Sequence, residues 1–295
     1  MWLIFTILTV IFWGVSETIF KKSTKGDEHS VAHLLAYNGI FFGIVGITYM
    51  LVVYKGFGFD FRNVLKYFPI AATYLLAMFS YYHAMKRVKI SLVSPIVNTS
   101  CILTVVLCIL VLHQYPSPSQ AVAIVLVIAG LILLSINKTP EDDSEEDTRV
   151  KPKINIYILG LIFAFGYFVL DGLASFLDAA FLEGYMQDCD MIISHSIISL
   201  ALGIGCYIYL KIKDKSYRIE IDKYKAIGSV FETAGEFTYI FAFVNGSASV
   251  ISPFVATYSV VTIILSRIFL KEKLKIRQYL LIVLILIGVV FLSIE

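Results

Sequence analysis

The chain alternates between long apolar stretches and short polar ones. A bilayer core needs about 20 apolar residues in helical form. Stretches of that kind run over 2–20, 31–54, 64–86, 90–112, 119–136, 154–178, 190–210, 224–244, 247–270 and 277–294. The pattern predicts ten membrane-spanning helices and little else. The first stretch lacks a basic leader and a small-residue cleavage site and ends in Lys21-Lys22, so it is expected to stay as a helix.

Residues 84–136 and 242–294 align without a gap at an offset of 158, the step from Ala84 to Ala242. Ser91 falls on Ser249, Ser94-Pro95 on Ser252-Pro253, Thr99 on Thr257, Gln120 on Gln278 and Gly130 on Gly288. Leu, Ile and Val match by chance in so apolar a chain, but paired Ser-Pro, Gln and Gly positions do not. The segment is a duplicated structural unit. The expected organisation is a first five-helix repeat over 1–137, an acidic linker over 138–153 and a second repeat over 154–295, with Glu141 to Asp147 inside the linker.

Five spans per copy is an odd number, so the second copy must enter the membrane from the opposite side. The fold class expected is an all-α integral membrane protein, ten helices in two inverted five-helix repeats around a central cavity. Loop charge agrees. Lys86, Arg87 and Lys89 follow the third span, whereas the equivalent loop at Asn245-Gly246-Ser247 has no base. Odd-numbered loops hold about 20 Lys and Arg and even-numbered loops about 3, which places the odd loops in the cytoplasm and both termini outside.

Composition adds that the chain is 58% hydrophobic, beyond what a soluble domain carries, and its net charge of +2 says little about partners. No basic tract points to nucleic acid. Four cysteines have neither zinc-site spacing nor the look of a disulfide framework. No cofactor is expected. The partners expected are the lipid bilayer, a small-molecule substrate, and protons or another coupling ion, with the plasma membrane of a prokaryote as the location.

Ionisable residues within spans cost about 2.5–3.5 kcal/mol each on the insertion scale, so they call for a reason. Glu232 and Glu236 stand one turn apart on the eighth span, and Tyr239 and Phe243 continue their stripe. The repeat maps that face onto Tyr74, Met78, Tyr81 and Met85. Two carboxylates so close in an apolar medium do not readily ionise together, which is the chemistry of a proton relay or a cation site. Glu17 follows Trp13 by four residues near the end of the first span, in the cavity or at the interface. In the sixth span Asp171, Ser175 and Asp178 form a second polar stripe, with Asp171 the deeper acid and Asp178 a possible helix-end marker. His83, beside Tyr81 and Tyr82, either shares protons with the carboxylates or is a satisfied hydrogen-bonding residue; His33 and His195 rank below it. Pro95 and Pro253 weaken equivalent helices. After them, Asn98, Thr99, Thr257 and Tyr258 either contact substrate or pack.

Phe269-Leu270-Lys271-Glu272-Lys273-Leu274, then Gln278 and Leu286-Ile287-Gly288, resemble the closing segment of each half in the drug/metabolite transporter superfamily, EamA-like family. Trp13-Gly14 is similar to a motif of that family's first helix. The first half departs at Gln114, where the family pattern has Glu, and lacks an Arg early in the second span. The resemblance covers essentially the whole chain. It implies a basket of helices around a substrate cavity worked by alternating access, and it implies no particular substrate.

The function expected is a secondary active transporter of a small polar or cationic metabolite, such as an amino acid, amine or drug-like solute, coupled to protons. The alternatives are a proton-independent exchanger, an intramembrane enzyme and a passive channel. An enzyme would need a metal-binding His-Glu-x-x-His, paired catalytic aspartates or a Ser nucleophile near His, and no such constellation is present.

Overall fold

The structure, a computed structural model, describes residues 1–23, 30–55, 58–85, 87, 93, 96–136, 154–213, 222–269 and 274–294. These form helices α1 (Trp2–Ser23), α2 (Ser30–Val53), α3 (Arg62–Met85), α4 (Ser100–Val111), α5 (Pro118–Ile136), α6 (Ile154–Gly184), α7 (Asp188–Lys213), α8 (Lys223–Asn245), α9 (Ala248–Val255), α10 (Tyr258–Phe269) and α11 (Ile276–Ser293). No strand occurs among the described residues. The protein is all-helical, and eight segments among the described residues are long and apolar enough to cross a membrane.

The expected stretch 224–244 is helix α8, but it falls short of that apolarity. Lys223, Lys225, Glu232 and Glu236 are the reason. A helix so charged needs protein on its polar face, and Lys225, Ser229, Thr233 and Tyr239 are buried accordingly. The sixth span runs on to Gly184, six residues past the expected end, so Asp178 is not a helix-end marker. Pro95, Glu272 and the linker acids from Glu141 to Asp147 lie outside the described residues, as does the side chain of Tyr82 within α3.

The chain divides into two compact units. One comprises Met1–Ala71, Phe181–Asn245 and Tyr258–Leu270, and the other Ala72–Ala180, Gly246–Thr257 and Lys271–Glu295. Each draws helices from both copies of the repeat.

Glycines show how the copies meet. In the second unit a Cβ on Gly130 would stand 2.5 Å from Ile285, and one on Gly288 would stand 2.8 Å from Val127. Val127 and Ile285, like Gly130 and Gly288, are repeat mates, so the contact between α5 and α11 is self-complementary. One index rises as its partner falls, hence the two helices run antiparallel. The first unit repeats this between α2 and α7. There Gly39 abuts Gly203, Gly43 abuts Leu200 and Gly46 abuts Ser196. An offset of 157 exchanges the first pair with the third and maps the middle pair onto itself. Equivalent helices that run antiparallel are what an inverted repeat requires.

Gln120 and Gln278 have the same local task. The Ser117 amide donates to Gln120 Oε1 at 2.9 Å and the Lys275 amide to Gln278 Oε1 at 2.8 Å, so each Gln satisfies a backbone donor at its helix start. Gln114 accepts the Ser247 hydroxyl at 3.0 Å and the Ser249 amide at 3.2 Å, serving the start of α9. An amide oxygen supplies there the acceptor that a carboxylate would.

The threonines after the prolines close matching breaks. The Thr99 hydroxyl donates to the Ile96 carbonyl at 2.9 Å and the Thr257 hydroxyl to the Phe254 carbonyl at 2.6 Å. Pro253 has no amide hydrogen and clashes with the preceding turn, so α9 ends two residues later and the chain tightens to three-residue pairing.

Candidate functional site

In the first unit, α1 and α8 carry five of the expected residues, and α10 supplies Tyr258 as a sixth. Close approach begins at Gly235, where a Cβ would stand 2.3 Å from the Trp13 ring. The missing side chain lets the indole lie on α8. Trp13 then packs on Tyr239 at 5.1 Å between ring centroids and meets Tyr258 edge-on at 5.9 Å. Tyr239 is buried and continues onto Phe243 at 4.3 Å. The Trp13 indole nitrogen is buried without a hydrogen-bond partner. Such a donor is costly to leave unmade, and it lies against α8 at Gly235.

The carboxylates lie beside this corner. Thr262 donates to Glu17 Oε2 at 2.7 Å. Ser16, the residue before Glu17, hydrogen-bonds Glu232, and Glu17 acts on Glu232 electrostatically. Glu236, one turn along α8, faces His195 of α7 instead, with Nδ1 to Oε1 at 3.6 Å. His195 also has the Tyr67 hydroxyl at 3.1 Å from the same nitrogen. His195, placed below His83 in the sequence reading, thus has a hydroxyl and a carboxylate against one ring nitrogen. The sequence signal was present, an imidazole in the interior of an apolar span, but nothing in the pattern said which helix it faced.

In the second unit the remaining candidates are held by hydroxyls. The Ser100 hydroxyl donates to Asp171 Oδ2 at 2.6 Å, and Tyr167 hydrogen-bonds the same carboxylate. Tyr74 donates to Asp178 Oδ2 at 2.7 Å and reaches Ser175 at 3.4 Å. Asp178 is 1% exposed, so this bond is its anchor in the interior. Tyr81 packs on Tyr167 at 5.5 Å. His83 stacks on Phe79 at 3.9 Å and Phe163 at 5.1 Å, with Nδ1 near its own helix's Phe79 carbonyl. Those contacts fit the satisfied histidine of the two expectations. The Asn98 amide donates to Ser135 at 3.1 Å, tying the residues just before α4 to α5.

These arrangements can bind a cation or carry a proton, and no cluster of His, Cys, Asp and Glu among the described residues could hold a metal. Comparison with known proteins fixes the family. The EamA-like transporter family matches residues 1–136 and again 154–294. The chain belongs to the EamA-like transporter family. An uncharacterized protein of Methanocaldococcus jannaschii is 31% identical over 136 residues, which is 46% of this chain and 96% of that protein. That EamA-like chain's relative is thus about half as long, near the length of one repeat. A solved crystal structure matches with a TM-score of 0.75 at 14% identity, over 99% of this chain and 96% of the other, a likeness of fold. As an EamA-like transporter the protein is a multi-pass membrane protein with a small-molecule substrate.

Proposed function

We propose that the chain is a secondary active transporter of a small polar or cationic metabolite, an amino acid, amine or drug-like solute, coupled to protons and working by alternating access. Glu232 of α8 beside Glu17 of α1, with Glu236 one turn along α8 facing His195, is the observation that carries this reading. Glu17 and Glu232, on the helices that carry the rings of Trp13 and Tyr239, suit a positively charged group, which is attracted both to carboxylates and to aromatic faces. A phosphate would want Arg or Lys there. The halves 1–137 and 154–295 act as the two inverted repeats, joined by the acidic linker, in the plasma membrane of a prokaryote.

The test is uptake by the purified protein in proteoliposomes, with labelled amino acids, polyamines and tetraethylammonium, with and without a pH gradient. Glu232→Gln or Glu236→Gln is expected to lower gradient-driven accumulation about a hundredfold, near 2.7 kcal/mol. Full accumulation by both single variants would defeat the coupling claim.

A further inference from the structure

His195 meets two partners at one atom. Its Nδ1 lies 3.1 Å from the Tyr67 hydroxyl oxygen on α3 and 3.6 Å from Glu236 Oε1 on α8. A ring nitrogen carries either a lone pair or a proton, so it cannot accept from Tyr67 and donate to Glu236 at the same time. The surroundings hold the ring where this choice must be made. Phe42 of α2 packs on the imidazole at 4.8 Å between centroids and Tyr67 at 5.6 Å. Tyr67 is 0% exposed and has no solvent to turn to. His195 and Glu236 keep 17% and 16% of their side-chain exposure, so a proton can reach the pair.

We propose that Glu236, His195 and Tyr67 form one proton-binding cluster in which the proton decides the partner of His195 Nδ1. Without the added proton, neutral His195 accepts from the Tyr67 hydroxyl at Nδ1 and the Glu236 carboxylate keeps its negative charge. With it, the imidazolium donates from Nδ1 to Glu236 and neutralises it, and Nδ1 no longer accepts from the Tyr67 hydroxyl. One proton is taken up at Nδ1 as one positive charge leaves Glu236. The cluster rests on the proton-coupled reading, and it divides the two acids of α8. Glu236 faces the proton, whereas Glu232 belongs with Ser16 and Glu17. From α8 the group facing His195 is Glu236, from α3 it is Tyr67 and from α2 the Phe42 ring.

The test is a pH titration of the full chain in lipid nanodiscs, followed by the imidazole nitrogen resonances of labelled histidine, with His195 assigned by His195→Gln. Glu236→Gln removes the partner of the charged ring, so the midpoint of His195 should fall. Tyr67→Phe removes the donor to the neutral ring, so the midpoint should rise. Each displacement is expected to be about half a pH unit or more. Unmoved midpoints, or movement of both in one direction, would overturn the cluster, and near-native melting of the Tyr67→Phe protein shows that the fold is kept. The titration needs no solute, so it can fail while proteoliposome coupling succeeds, and the reverse.

Discussion

In the first unit Gly14 lets α1 approach Val261 at a distance a Cβ would cut to 2.6 Å, and Thr262 points its hydroxyl at the Gly14 carbonyl at 3.4 Å. In the second, Gly172 lets α6 approach Leu103, with Thr104 donating to the Gly172 carbonyl at 3.0 Å. Each residue of the first set is the repeat mate of one in the second. The neighbours are not alike. Trp13 and Tyr258 stand where the second unit has Asp171 and Ser100, Glu17 stands where it has Ser175, and Glu232 where it has Tyr74. An aromatic pair in one unit thus replaces an acid and hydroxyl in the other, and conversely.

The difference separates two kinds of constraint. Gly and Thr are kept in both copies because helices meet there too closely for other side chains, and because a buried carbonyl gains a donor. Positions one residue away touch no such restriction and were free to diverge. The second unit has a buried acid of its own at this level. Asp178 sits beside Tyr74, the mate of Glu232, but Tyr74 holds it by a hydrogen bond at 2.7 Å. The carboxylates of the first unit instead face Ser16, Thr262 and His195.

The comparison can be broken at its frame. Gly130→Leu and Gly288→Leu should each destabilise the protein by about 3 kcal/mol, since both force side chains into the same self-complementary contact. Melting temperatures that fall for one variant and not the other would mean that α5 and α11 are not related as described. A smaller effect sharpens the functional divergence. Thr262→Val should raise the substrate KM about fivefold, the worth of about 1 kcal/mol from one hydrogen bond, because Thr262 holds Glu17. Thr104→Val should leave KM unchanged, and equal shifts in uptake kinetics would deny the units their different roles. The smallest effect is local. Gln120→Ala and Gln278→Ala should each cost about 1 kcal/mol by loss of the helix-start bond, read as matching drops in thermal shift.

Much of this was legible in order of sequence distance. Among the described residues, eight of the ten apolar stretches hold a segment long and apolar enough to span, because a helix in lipid must be apolar over a fixed length. The matches at Gln120 and Gln278, and at Gly130 and Gly288, gave the repeat, since capping and close approach tolerate few residue types. Trp13, Glu17, Glu232, Tyr239 and Tyr258 were expected at a site and lie along α1, α8 and α10 of the first unit, whereas Glu236 faces His195. The role of Asp178 was misjudged because helix ends are weakly marked in membrane spans, where the next apolar turn costs nothing to add. His195 was ranked low because its partners Tyr67 and Glu236 lie on other helices, far away in the chain.

The sequence alone determined the helical class, the membrane setting, the duplication and, by the odd count of spans, the inversion. These follow from local apolarity and from residues repeated at fixed spacing. The tertiary structure decided which polar groups face one another. Each residue turns a helix by about 100°, so a change of one in register redirects every side chain. The repeat offset is 158 between α5 and α11 and 157 between α2 and α7. Only the packed helices set that register, and with it the meeting of His195 with Glu236.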